Sequence, residues 1–191
     1  MITVITRTSG RPNFFANCRK SVLEQTRAPF HLVICDDPLD TYAEGDKVIW
    51  MPIRAEDRGT NLYFNRVAEH IPDAHPWVMF LDDDDQLQNS AAIEIIERCI
   101  STEKDLLLWQ VQFPESRLIP GDVFGKTPAP GNISGIGFCY NKKYWVDWPP
   151  VAFGDFMVIS QLYNQLIPVW VNSILTGVQS EIGGGHRFDL T

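Results

Sequence analysis

Short apolar runs recur along this chain, and two of them end abruptly in aspartates. FHLVIC (Phe30–Cys35) runs into Asp36 and Asp37, and WVMFL (Trp77–Leu81) runs into Asp82, Asp83, Asp84 and Asp85. Unit charges about 4 Å apart repel by roughly 4 kcal/mol at an effective dielectric near 20. No basic residue follows the second run locally to relieve that repulsion. Either the run is a solvated turn, or a cation belongs there.

The apolar runs alternate with helical patterns, which predicts strand–helix units. Ile2–Thr6, Phe30–Cys35, Lys47–Met51 and Trp77–Leu81 read as the first four strands. Phe14, Phe15, Cys18, Val22 and Leu23 recur at helical spacing between the first two. Thr60 or Asn61 can cap a helix carrying Leu62, Asn65, Arg66 and Val67, and Asn89 or Ser90 can cap AAIEIIERCI. Further on, Asp105–Phe113, IGFCYN and VWVNSIL read as strands, and DFMVISQLYNQL as a helix ended by Pro168. The stretch from Pro114 to Gly135 is rich in Pro and Gly and too long for a simple connector, which predicts a mobile lid or acceptor loop. The expected architecture is an α/β single domain of 191 residues, with a mostly parallel central sheet flanked by helices.

Composition narrows the class. Apolar residues at 45 % and aromatics at 12 % describe a globular chain. No apolar run approaches the roughly 20 residues of a membrane helix, and MITVITRTSGRP reads as a first strand, not a signal peptide. Cys18, Cys35, Cys99 and Cys139 are scattered and form no C-x-x-C pair, which predicts reduced thiols in a cytoplasmic protein. A net charge of −8 argues against direct nucleic-acid binding. The early residues Arg7, Arg11, Arg19, Lys20 and Arg27 run against that charge, either as a small anion-binding region or as a basic helix face.

In open parallel sheets, ligands bind outside the carboxyl ends of the strands. Two acidic turns at that edge suit a hard divalent cation such as Mn²⁺ or Mg²⁺. In an extended segment Asp82 and Asp84 point the same way, with Asp83 and Asp85 opposite. A calcium loop starting at Asp82 fails, because its sixth and twelfth positions are Leu87 and Ile93. No phosphate-cradling G-x-x-x-x-G-K-[ST] is present.

The opening ITVITRTSGRPNFFANCRKSVLEQTRAPFHLVICDD resembles that of glycosyltransferase family 2 enzymes, which have the GT-A fold. FLDDDD resembles the D-x-D element of that family, GTNLYFN its Gly/Asn-bearing segment, and FGDFMVISQLY its late acidic element opening the acceptor-side helix. The chain departs from the family at Thr6, where Pro is frequent, and at Asp36-Asp37-Pro38-Leu39, where D-D-G-S is frequent. It has no Q-x-x-R-W element, which argues against a processive synthase.

The resemblance implies an inverting, metal-dependent glycosyltransferase that takes a sugar from a nucleotide-diphosphate sugar, UDP by default. The acceptor would be a hydroxyl of a glycan or another small molecule. Residues 1–113 would form the donor-binding part and 114–191 the acceptor side and tail. Thr6, Thr8, Arg11, Asp36, Asp37, Asn61, Asn65, Asp82 and Asp83 would contact the nucleotide sugar. Asp82 and Asp84 would hold Mn²⁺ or Mg²⁺, completed by His186 in the GGGH tail, where neutral imidazole suits Mn²⁺.

Asp155 would be the catalytic base. At a helix start its carboxylate is expected to be stabilised by the helix amides, which lowers its pKa, although an ordinary N-cap aspartate would look the same. Its aromatic neighbours Trp145, Trp148, Phe153 and Phe156 could form a sugar platform. A nucleotidyltransferase and a non-catalytic nucleotide- or glycan-binding module remain the alternatives.

Overall fold

The computed structural model describes residues 1–52, 61–151 and 153–179. Strand β1 (Ile2–Thr8) is β-branched and almost wholly buried, as befits a strand covered on both faces. It pairs in parallel with β2 (Phe30–Cys35), β2 with β3 (Lys47–Trp50), and β1 on its other side with β4 (Trp77–Phe80). Pro12 opens α1 (Pro12–Leu23), where its fixed φ suits the first helical turn.

The sequence pattern predicts a mostly parallel sheet, and the observed sheet is mixed. Strand β8 (Phe138–Asn141) lies antiparallel between β4 and β6 (Asp105–Gln112). Beyond β6 runs β9 (Ile167–Val178), parallel to it, and β5 (Asp85–Leu87) closes the sheet antiparallel to β9. The short β7 (Leu118–Ile119) adds to β6. The order is therefore β3-β2-β1-β4-β8-β6-β9-β5, with β7 on β6. Chain reversal after β6 makes the difference, because β8 returns through the Pro/Gly-rich segment without a crossover helix. Pro168 is the second residue of β9, near the strand start where a missing N–H is tolerated.

Alternation along the strands builds a core on each face. Leu106 and Leu108 pack with Phe80, Phe138 and the buried side of α3 (Gly154–Gln165). Leu107 and Trp109 pack with Val22 of α1 and with Ile93 and Ile96 of α2 (Ala92–Cys99). Where a helix through Leu62 and Val67 is predicted, the chain makes short 3-10 turns, Leu62–Arg66 and Ala68–His70. Tertiary contacts decide this: Tyr63 and Phe64 are buried, and the Asn65 amide is committed to the Trp148 backbone. The Pro114–Gly135 stretch is an anchored excursion, held by buried Ile133 and by Phe124 packed edge-on to Trp170. All four cysteines are free thiols. Among the described residues, no helix is long and apolar enough to cross a membrane.

Candidate active site

Because β2, β1 and β4 are parallel, their carboxyl ends reach one edge, and the turns after them meet there. After β4 the chain does not stay extended. It turns at Asp83 and Asp84, with the Asp85 amide donating to the Asp82 carbonyl at 2.9 Å. That turn changes the expected alternation. Carboxylate oxygens of Asp82, Asp84 and Asp85 all lie within 4.8 Å of one another, and Asp83 faces the other way. The end of β9 fixes the loop: the Gln179 amide donates to the Asp84 carbonyl at 2.8 Å, and its side chain donates to the carbonyls of Asp83 and Asp85.

Asp83 is fully buried and engaged. Arg11 meets it through Nε and Nη2, and the Thr8 hydroxyl donates to it at 2.8 Å. Its expected role in contacting a nucleotide sugar does not fit, since both oxygens are occupied by the protein. Arg11 also lies 3.3 Å from Asp84, so the turn after β1 and the acidic loop are locked together. Tyr42 extends the network. Its hydroxyl accepts from the Arg11 amide and lies 3.0 Å from the Thr8 hydroxyl and 3.3 Å from Asp40. Thr6 points elsewhere: buried, it bonds His31 at 2.9 Å and does not line the site.

The acids pay an electrostatic cost. Burial raises the carboxyl pKa of Asp82 and raises that of Asp85 well above the ordinary range. Asp84 adds to both, while Arg7 pulls Asp82 down. Burial pushes Asp83 up to about 7, against Arg11 and Thr8, which favour its carboxylate. The Arg7 guanidinium sits 5.3 Å from the centre of the Tyr63 ring. The Tyr63 ring face, with the carboxylates of Asp82, Asp83 and Asp36, offsets burial and keeps Arg7 charged. Arg7, Tyr42, Tyr63 and Gln179 all escape sequence reading, because their importance lies in packing against the acids. Only Arg7 carries a local signal, as part of the basic stretch.

A cavity of about 260 Å³ opens over this loop. Asp82, Asp84 and Asp85 line it with Asn61, Trp148 and Asp155. Asp155 is not an N-cap. The cap position is Phe153, and Asp155 lies in the first turn, its carboxylate accepting from the Phe156 amide at 2.8 Å. Its pKa is raised, contrary to the expectation from the helix start: burial outweighs the amides of Phe156, Asp155 itself and Gly135. Asn65 holds Trp148 by two hydrogen bonds to its backbone, an arrangement that leaves its amide committed.

The acids after β2 are arranged differently. Asp37 bonds the Leu39 amide at 2.8 Å, and Asp40 accepts from the Gly10 amide. Asp36 and Asp40 form a second cluster with Cys35. Of the four expected platform aromatics, Trp148 is buried, Trp145 and Phe156 pack on the core, and Phe153 stands exposed. His186 lies outside the described residues, as do Gly59 and Thr60.

No family model matches the chain, and no curated protein matches it in sequence. Solved structures match it in fold. TarS 1–349 of S. aureus superposes with a TM-score of 0.68 at 14% identity, over 93% of this chain and 60% of that one. The mannosyltransferase PcManGT from Pyrobaculum calidifontis, in complex with GDP-Man and Mn²⁺, gives 0.71 at 12%, over 95% and 58%. The chain shares the GT-A-like fold of these two structures. TarS 1–349 has also been solved with UDP-GlcNAc, and that structure gives 0.69 at 15% identity, over 95% and 59%. The chain thus spans about 60% of the TarS 1–349 chain and 58% of the PcManGT chain.

Proposed function

We propose that this protein is a metal-dependent, inverting glycosyltransferase of the family 2 type, using a nucleotide-diphosphate sugar, UDP-linked by preference, and a hydroxyl acceptor. One observation carries the reading: three clustered carboxylates and a separate acid, Asp155, line the same cavity. Three carboxylate donors fit Mn²⁺ or Mg²⁺, which favour hard oxygen ligands. Asp82, Asp84 and Asp85 would hold that ion, which supplies Lewis-acid stabilisation of the departing nucleoside diphosphate. Arg11, through Asp83 and Asp84, would hold the loop in shape before the donor arrives. Asp36 and Asp37 would meet the nucleoside at the neighbouring strand end, and Asn61 the sugar side. Asp155 would accept the proton of the acceptor hydroxyl. Its raised pKa strengthens it as a base while leaving it able to ionise. Residues 1–113 would thus bind the donor and 114–191 the acceptor, in one catalytic domain whose free thiols suit the cytoplasm.

The test is incubation with UDP- and GDP-sugars, with and without Mn²⁺. Slow metal-dependent release of free sugar and nucleoside diphosphate is expected, because transferases leak to water. Release of pyrophosphate from nucleoside triphosphates and sugar phosphates would indicate nucleotidyl transfer instead. Metal-dependent binding with no turnover would indicate a binding module.

A further inference from the structure

Resting on the reading above, we propose that Arg7 binds the diphosphate of the donor, between a nucleoside end at Asp36 and a cation end at Asp82. The strand register places it there. Arg7 pairs with Ile34 across β1 and β2. Asp36 follows Ile34 by two residues, which puts it on the same face as Arg7. On the other side the parallel ladder of β1 and β4 runs on past the Ile5 and Phe80 pair. The Leu81 amide donates to the Ile5 carbonyl at 2.9 Å, and the Asp83 amide to the Arg7 carbonyl at 3.2 Å. Asp82 is therefore the neighbour of Arg7 on that side, and Arg7 stands between the two acidic turns.

Arg7 and Arg11 use their donors differently. The Arg11 guanidinium is engaged by Asp83 and Asp84. Among the described residues the Arg7 guanidinium enters no hydrogen bond or ion pair, and its Nε is shut off from water without a partner. The Tyr63 ring face holds it instead, 5.3 Å from its centre. The Tyr63 hydroxyl in turn donates to Asn61 at 3.1 Å, and Asn61 lines the cavity with Asp82. Arg7 is only half-buried, so the outer end of its fork is what a ligand meets. That fork matches two phosphate oxygens. A nucleoside diphosphate carries more negative charge than one divalent ion cancels, and the acids that hold the ion repel the remainder. Arg7 offsets that remainder.

The experiment is calorimetric titration of the full chain with Mn²⁺ alone and, at saturating Mn²⁺, with UDP, GDP, uridine and guanosine. The parent should bind at least one diphosphate more tightly than its nucleoside. Arg7→Gln should weaken that binding about 10- to 100-fold, the range for losing charge-assisted hydrogen bonds, and leave nucleoside affinity unchanged. Arg7→Lys keeps the charge without the fork and should lose less. Mn²⁺ alone should bind Arg7→Gln about threefold more tightly, because a positive charge has left the side of Asp82. General damage to the site would weaken both, so the opposite signs separate the two cases. Unchanged diphosphate affinity in Arg7→Gln overturns the proposal, as does an equal loss for nucleoside and diphosphate, or a weaker hold on Mn²⁺. A parent that binds neither diphosphate overturns the transferase reading and the phosphate role together. Metal-dependent binding that ignores the substitution overturns the phosphate role alone.

Discussion

Two parallel strands of this molecule end in aspartates at one edge, and their carboxylates have opposite surroundings. After β2, Asp37 closes a local turn on Leu39 at a surface position, and Asp40 accepts a backbone amide. After β4, Asp83 is sealed between Arg11 and Thr8, and its three neighbours converge on a cavity faced by Asp155. Acids at a strand end are therefore an incomplete signal. What separates the two turns is depth: Asp83, Asp84 and Asp85 are buried while Asp36, Asp37 and Asp40 are half-buried, and keeping like charges together in the deeper, low-dielectric setting is costly unless a cation or ligand offsets it.

The sharpest way to break the comparison is to remove one converging acid from each turn. Asp84→Asn should lower donor turnover by about 10³-fold or more, the scale of losing an electrostatic stabiliser of the leaving group. It should also abolish the rise in melting temperature that Mn²⁺ gives the parent, since binding to the folded state stabilises it. Asp36→Asn should keep that Mn²⁺ response. Thermal melting with and without Mn²⁺ checks both, and an unchanged response in Asp84→Asn would place the ion elsewhere.

Next in size is Asp83. Removing one partner of a buried pair leaves the other charge uncompensated, at about 4 kcal/mol. Asp83→Ala leaves Arg11 only its 3.3 Å contact with Asp84, so it should destabilise the protein by about 3 kcal/mol in urea unfolding, the low end for such a loss. A loss under about 1 kcal/mol would mean that Arg11 is solvated and the loop is not locked.

Much of this contrast was readable from the residues alone. The span Phe30–Cys35 is the observed β2, and the four-aspartate run does sit at a strand end beside a cavity. Alternation misled at Asp85, because a turn and not an extended strand carries it round to Asp82 and Asp84. Strands β5 and β7, of three and two residues, are too short to show a period. Asn65 has the look of a ligand contact in sequence, yet it braces Trp148 across a separation of 83 residues, which no local pattern encodes. Asp155 was legible as a helix-start acid, while its raised pKa follows from burial that only the folded chain supplies.

Asp155 sharpens the comparison, since a cavity-facing acid stands opposite the β4 turn. Asp155→Asn should lower transfer by about 10²-fold, within the usual worth of a general base, while donor binding persists. The pH profile carries the sign. A base works when ionised, so a raised pKa moves the acidic limb of the parent profile up in pH from where an unperturbed aspartate would put it, with activity falling as pH drops through it. That limb should vanish in the residual activity of Asp155→Asn. If the limb stays in place, another group is the base.

The smallest effect belongs to the open turn. Asp37 accepts one amide hydrogen bond, from Leu39, at an exposed position. Water can replace such a bond, so Asp37→Ala should cost only about 0.5 kcal/mol, at the low end for a single hydrogen bond. That is far below the loss expected for Asp83→Ala, although both remove an aspartate from the end of a parallel strand. Nucleotide affinity gives the second readout. A carboxylate that contacts a nucleoside hydroxyl is worth about 1 kcal/mol or slightly more, or roughly a fivefold to tenfold change in affinity. Asp37→Ala should therefore weaken UDP binding by that factor and leave its dependence on Mn²⁺ concentration unchanged. Calorimetric titration at fixed and varied Mn²⁺ separates the two quantities. A shift in the metal dependence would make the β2 turn part of the cation site and erase the distinction between the two acidic ends, whereas unaltered UDP affinity would leave Asp37 with no more than its local turn.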